Sequence, residues 1–184
     1  MLTLDDAEKG LETMADRRAR GKIVITIDGY SITIAAEVAR NGLPPVAARM
    51  AAFTAPDHMD WDAFERRWSR LRADETIINR AIVVDGEVAG TIGSWGDPGE
   101  RELTYWIGRS YWGRGIATAA LNAFLAVERS RPLHARVASD NVASHRVLEK
   151  CGFRVIATER GFAQARSAEI EELVLRLEEP GSAQ

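Results

Sequence analysis

One cysteine, three histidines and six prolines are all that 184 residues hold of the types that staple, ligate or break a chain. With a single thiol, Cys151, no internal disulfide can form, and four-thiolate zinc sites and iron–sulfur clusters are excluded. His58, His134 and His145 lack the spacing of a metal site, so no metal is expected. No run of about 18 apolar residues occurs, which excludes a membrane-spanning helix. The opening MLTLDDAEKG is acidic early and has no apolar stretch. No signal peptide is expected there, and the default compartment is the cytosol. Neither sign of charge dominates, with 24 Lys and Arg against 27 Asp and Glu and a net charge of −3. No nucleic-acid partner is expected, and the cluster Arg66, Arg67, Arg70 and Arg72 reads as a solvated helix face.

What is present is ordinary globular composition, 46% hydrophobic and 28% charged. The length suits one domain plus an appendage. Residues 4–20 carry helix periodicity through Leu4, Leu11, Met14 and Ala15, with Gly21 as the stop. Ile23–Ile27, the turn Asp28-Gly29 and Ser31–Ala35 read as a hairpin. Asn41-Gly-Leu-Pro-Pro45 is the clearest break. The expected organisation is therefore an atypical helix and hairpin over 1–45, a main domain over 46–179 and a tail over 180–184.

Past the break, Ala47–Phe53 reads as a short helix or turn. Asp60–Ala73 reads as a helix with Trp61, Phe64, Trp68 and Leu71 on one face. Strands follow at Thr76–Val84 and Val88–Trp95, joined by Asp85-Gly86, and at Glu102–Ile107. Then come a helix from Gly113 to about Ser130, a strand Leu133–Ala138, a helix Val142–Cys151, and strands Phe153–Thr158 and Ile170–Leu177. This order predicts an α/β fold of the α+β type built on a mixed sheet, not a doubly wound or barrel fold.

The stretch with chemical content is Trp112-Gly-Arg-Gly-Ile-Ala-Thr118, where a strand runs into a glycine-bearing turn and a helix follows at once. Glycines allow backbone amides to approach a ligand closely, and amides at a helix N-terminus bind anions. Arg114 adds a positive charge, so a pyrophosphate is the ligand best served. The turn lacks the lysine of a nucleotide P-loop and the third glycine of a dinucleotide fingerprint. Taken alone, it fits a helix start with two convenient glycines equally well. A second constellation, Asp140-Asn141-Val-Ala-Ser144, follows a strand and opens a helix that Asn141 can cap.

Glu102-Leu-Thr-Tyr-Trp-Ile107, Trp112–Thr118, Asn141-x-x-Ser144 and Leu148-Glu-Lys-Cys-Gly-Phe153, in this order and spacing, resemble the GNAT superfamily of acetyl-CoA-dependent N-acetyltransferases. The resemblance runs from about Ala47 to Leu177. It is closest to the bacterial branch that includes the ribosomal-protein-alanine acetyltransferases. It implies a mostly antiparallel sheet, flanked by helices, in which the strand ending near Ile107 parts from the strand starting near Leu133. It implies a pantetheine arm along Trp106, Ile107 and Gly108, and a pyrophosphate on Gly113, Arg114, Gly115, Ile116, Ala117 and Thr118. Asn141 and Ser144 would then lie beside the thioester. The implied reaction is direct attack of an amine on acetyl-CoA, without an acyl-enzyme.

Glu102 is the first candidate base under this resemblance, with Glu159 as an alternative. Many members carry a tyrosine where this chain has Leu148. Ser144 is therefore the candidate for the leaving sulfur, with Tyr105 and Tyr111 as further ones. Cys151 reads as a buried small hydrophobe, and His134 and His145 as structural or exposed. The implied partners are acetyl-CoA and an amine acceptor, in a monomer or homodimer. A non-catalytic acyl-CoA-binding module is the alternative.

Residues 1–45 depart from the usual start of such domains. Residues 1–27 instead resemble the C-terminal tail of zinc-type medium-chain alcohol dehydrogenases. Such a piece carries no catalytic residues, and residues 23–35 could stand in for a missing first strand.

Overall fold

A computed structural model describes residues 23–26, 66 and 73–179. The expected N-terminal helix, the strand at Ser31–Ala35, the boundary at 45/46, the helix at Ala47–Phe53, Trp61, Phe64, Trp68 and the tail lie outside these residues. Of the expected helix Asp60–Ala73, Arg66 and Ala73 are described, and both are helical.

Seven strands form one sheet: β1 (Ile23–Thr26), β2 (Ile78–Val84), β3 (Glu87–Trp95), β4 (Glu102–Ile107), β5 (Leu133–Ala138), β6 (Arg154–Ala163) and β7 (Ala168–Leu177). Their order is β1-β2-β3-β4-β5-β7-β6. All neighbours are antiparallel except β4 and β5. This is the mixed, mostly antiparallel sheet that the sequence predicts. Among the described residues two complete helices cross it, α1 (Ile116–Val127) and α2 (Val142–Lys150).

Strand β1 pairs with β2 from Ile23↔Val84 to Thr26↔Ala81. Residues 23–26 of the segment assigned to the N-terminal appendage thus pair into the main sheet. The β2–β3 turn is Asp85-Gly86, with φ of 53° and 83°. Two left-handed residues match the twist of the flanking strands, which is why Asp-Gly marked the hairpin.

The helices pack on one face of the sheet. Ile116, Ala120, Leu121 and Phe124 of α1 and Leu148 of α2 meet Ile82, Ile92, Leu103, Ile107, Leu133 and Val137 in the main core. On the opposite face Trp106 packs with Ala81, Val83 and Val88. Strand β4 alternates strictly between these faces, so odd residues look towards the helices and even ones away.

A buried polar clasp ties the start of β4 to the end of α1. The Arg101 Nε donates to Glu128 Oε2 at 3.0 Å, and its second nitrogen donates to Thr76 O at 2.8 Å and Ser94 Oγ at 3.0 Å. The Ser94 hydroxyl donates to the same carboxylate, and the Ser130 amide donates to Oε1 at 2.8 Å. Burial alone would raise the Glu128 carboxyl. The hydrogen bonds from Ser94 and Ser130, together with Arg101, outweigh it and hold the carboxyl below its ordinary value.

Several element ends shift by one to five residues from the sequence reading, and two of these shifts have a clear cause. Helix α1 starts at Ile116 rather than Gly113, because Gly113 and Gly115 are both left-handed, with φ of 72° and 77°. Strand β6 runs on to Ala163, because Glu159–Ala163 pair with Glu172–Ala168 across a tight turn. That turn is held by Arg166, whose guanidinium donates to both oxygens of Asp140 at 2.7 and 3.0 Å.

Candidate active site

The parallel ladder between β4 and β5 has two residue pairs, Glu102↔His134 and Leu103↔Ala135. Beyond them β4 runs on to Ile107 and β5 to Ala138 with no further pairing among the described residues. The sheet is therefore open between Thr104–Ile107 and Arg136–Ala138. A strand edge carries unpaired donors and acceptors, so the opening can take an extended, amide-bearing ligand.

The chain leaves β4 through a loop pinned at several points. The Gly108 amide donates to Ala89 O at 2.7 Å, and the Trp112 indole to Ile107 O at 2.7 Å. The Tyr111 hydroxyl donates to Glu87 at 3.0 Å. Desolvation and this carboxylate raise the Tyr111 pKa above its ordinary value. The Arg114 guanidinium lies 5.5 Å over the Tyr111 ring and 3.9 Å from Asp85, which holds it on the rim of the loop.

Gly115 then caps α1 with no side-chain hydrogen bond. Ala119 makes the first bond back to Gly115 O, at 3.1 Å. The amides of Ile116, Ala117 and Thr118 precede it, at the positive end of the helix dipole. Gly113, Arg114 and Gly115 thus lead directly into a helix start, the kind of backbone that can bind an anion.

Across the opening, Asn141 caps α2 and its side chain accepts from the Ser144 amide at 3.2 Å. The Ser144 hydroxyl lies 2.7 Å from the Tyr105 hydroxyl, which is also 3.3 Å from Ser144 O. Burial pushes the Tyr105 phenol up to about 12, although the Ser144 bond pulls the other way. Leu148 is buried in the core and offers the opening no polar group. Cys151 is half-buried against the same core rather than fully buried, and burial pushes its thiol up to about 11.

Glu102 lies on the opposite face. Its Oε1 is 3.2 Å from Arg136 Nε, and Arg136 Nη1 is 2.7 Å from Glu159 and 2.6 Å from Glu172. The hydrogen bonds that Arg136 donates to Glu159 and Glu172 raise its pKa further, against the cost of burial. The two carboxylates named as candidate bases therefore share one guanidinium. Sequence reasoning missed Arg136 and Glu172. The alternation of β5 and β7 put them on this face, but which strands were neighbours was not legible. Tyr105 and Ser144, by contrast, look towards the helices, so Glu102 and Ser144 flank the split in the sheet from its two sides.

Comparison with known proteins agrees with this fold. The family model described as acetyltransferase (GNAT) domain matches residues 30–154. No curated protein matches the chain. The fold is similar to that of Mycobacterium smegmatis RimJ in complex with CoA-disulfide, at 24% identity, 89% of this chain, 85% of that one and a TM-score of 0.68. It is also similar to yncA from Salmonella typhimurium, a structure with acetyl-CoA, at 17% identity, 88% and 96% coverage and a TM-score of 0.69. A third similar structure is ribosomal-protein-S5-alanine acetyltransferase from Vibrio fischeri, at 15% identity, 88% and 94% coverage and a TM-score of 0.67. None of these comparisons links residues 1–27 to a dehydrogenase.

Proposed function

The chain belongs to the acetyltransferase (GNAT) domain family and is an acyltransferase, and from that premise we propose that it moves an acetyl group from acetyl-CoA directly onto a primary amine. The acceptor is a protein N-terminus or a small-molecule amine, by analogy with the ribosomal-protein-alanine branch. The observation that carries this reading is the break in the β4–β5 ladder, followed closely by a glycine-capped helix start with no side-chain cap bond.

Both features fit acetyl-CoA. The opening suits the amide-bearing pantetheine, with Trp106, Ile107 and Gly108 along one edge. The amides of Gly113 to Thr118, with Arg114, suit the pyrophosphate. Acetyl-CoA, when bound, supplies the acetyl group as a thioester. The protein's own contribution begins with orientation: two reactants held at the split react as if at very high concentration. Glu102, directly or through a water, takes the proton from the acceptor ammonium. The Ser144 hydroxyl donates a hydrogen bond to the leaving sulfur. The proposed catalytic domain is residues 46–179, with β1 added to its sheet.

Calorimetric titration with acetyl-CoA, followed by thiol release against an amine panel, tests the reading. Binding with turnover is expected. Binding without turnover across the panel would favour the acyl-CoA-binding module, a reading to which the buried Leu148 lends weight. A folded sample that does not bind would sink both.

Glu102→Gln is expected to lower kcat about a hundredfold or more, with the KM for acetyl-CoA little changed, because general bases contribute on that scale. Steady-state rates decide this. A variant with wild-type kcat would move the base role to Glu159.

A further inference from the structure

The hydrogen bond between Tyr105 and Ser144 spans the opening in the sheet. Tyr105 is two residues past Leu103, the last β4 residue in the parallel ladder, and Ser144 is on the helix that follows β5. The two hydroxyls are 2.7 Å apart. Resting on the transferase reading above, we propose that Tyr105 is a positioning residue that fixes the direction of the Ser144 hydroxyl, so that the serine proton points at the leaving sulfur.

The argument is one of proton and lone-pair supply. A serine hydroxyl carries one proton and two acceptor lone pairs. Ser144 Oγ, at 2.7 Å, is nearer the phenol than Ser144 O at 3.3 Å, and with the phenol's one proton given to Oγ the serine proton is left for a third group. Asn141 already holds the Ser144 amide, so the backbone is fixed and only the hydroxyl rotor remains to be set. Without a partner, a helical serine turns its proton onto a carbonyl of the preceding turn. Burial keeps the Tyr105 phenol protonated through the neutral range, so it is always able to donate. Tyr105 does not itself touch the sulfur.

The test reads the sulfur without needing an acceptor. The thiol of bound CoA is titrated by the ultraviolet absorbance of its thiolate in the wild-type complex, and in Tyr105→Phe, Ser144→Ala and the double variant. Cys151 and Tyr105 have raised values, and subtracting the titration of the same protein without CoA removes the absorbance of the remaining tyrosines. An aimed donor stabilises the thiolate, so the bound thiol of the wild type should titrate about one pH unit below free CoA. Ser144→Ala should abolish that shift, Tyr105→Phe should remove most of it, and the double variant should lose no more than Ser144→Ala. A structural role for Tyr105 would change affinity but not this titration.

Tyr105→Phe with a wild-type thiol titration overturns the proposal, as does full additivity in the double variant. Should Tyr105→Phe not fold, 3-fluorotyrosine at position 105 serves instead. Its stronger donor should lower the bound thiol further, and an unchanged titration overturns the proposal. Folded wild-type protein that binds no CoA fails at the earlier step and sinks the transferase reading itself.

Discussion

Gly115→Asp is expected to abolish measurable acetyl-CoA binding while leaving the chain folded. Gly115 has φ of 77° and caps α1 directly before the amides of Ile116, Ala117 and Thr118. Aspartate enters the left-handed region at a cost on the order of 1 kcal/mol, and as a helix-capping type it recovers part of this. Its carboxylate, however, occupies the anion site and faces a diphosphate. Like charges at such contact cost several kcal/mol, so affinity should fall by about a hundredfold or more. Gly115→Asn carries the same strain without the charge and should retain most of the binding. The loss in Gly115→Asp should also shrink at high ionic strength, as a charge effect does. Calorimetry on the three proteins at two salt concentrations checks this. Binding by Gly115→Asp within about threefold of the wild type would remove the pyrophosphate from this turn.

Arg101→Ala should give the largest loss of stability. It strips the positive partner from Glu128, whose side chain is 2% exposed. Removing one member of a buried pair costs about 3–5 kcal/mol, because the other charge is left without compensation. For a chain of this length that is roughly 6–20 °C in Tm. Replacing both together, as Arg101→Met with Glu128→Leu, should cost much less, since no charge is then stranded. The clasp also sets an acid dependence. The folded Glu128 carboxyl is held below its unfolded value, so its contribution is complete above the unfolded pKa of about 4.3 and is lost as pH falls through the lowered folded value. Glu128→Gln should flatten the stability curve over that window. Thermal melts across the acid range would show it, and an unchanged slope would place the acid sensitivity elsewhere.

The strands around the site were legible because their apolar residues recur with a period of two between strong turn residues. Glu102–Ile107 and Leu133–Ala138 match the structure residue for residue. The start of α1 was misplaced by three residues for a reason tied to the site. A sequence scan reads Gly-Arg-Gly as weak helix, whereas the chain uses both glycines left-handed to turn amides outwards. The far half of β6 was hidden because Glu159-Arg-Gly-Phe162 has no strand pattern; its pairing with β7 makes it a strand. Asn141 as a cap followed from residue type alone. The Tyr105–Ser144 contact and the carboxylates gathered on Arg136 were not legible. Each joins residues 23 to 39 positions apart, through a neighbourhood of strands that only the assembled sheet defines.

Two ladder pairs join four strands on one side of the molecule to three on the other. Mechanically the sheet is two plates on a short seam, bound together by the helices lying across them. On the proposed function, an extended pantetheine would act as a missing length of seam, and bound coenzyme becomes part of the fold. Mass action then makes cohesion a matter of supply: at a hundred times Kd, the ligand adds about 2.7 kcal/mol to stability. Starved of coenzyme, the chain would spend more time open along the seam and be cleared faster, so its abundance would track the metabolite it consumes.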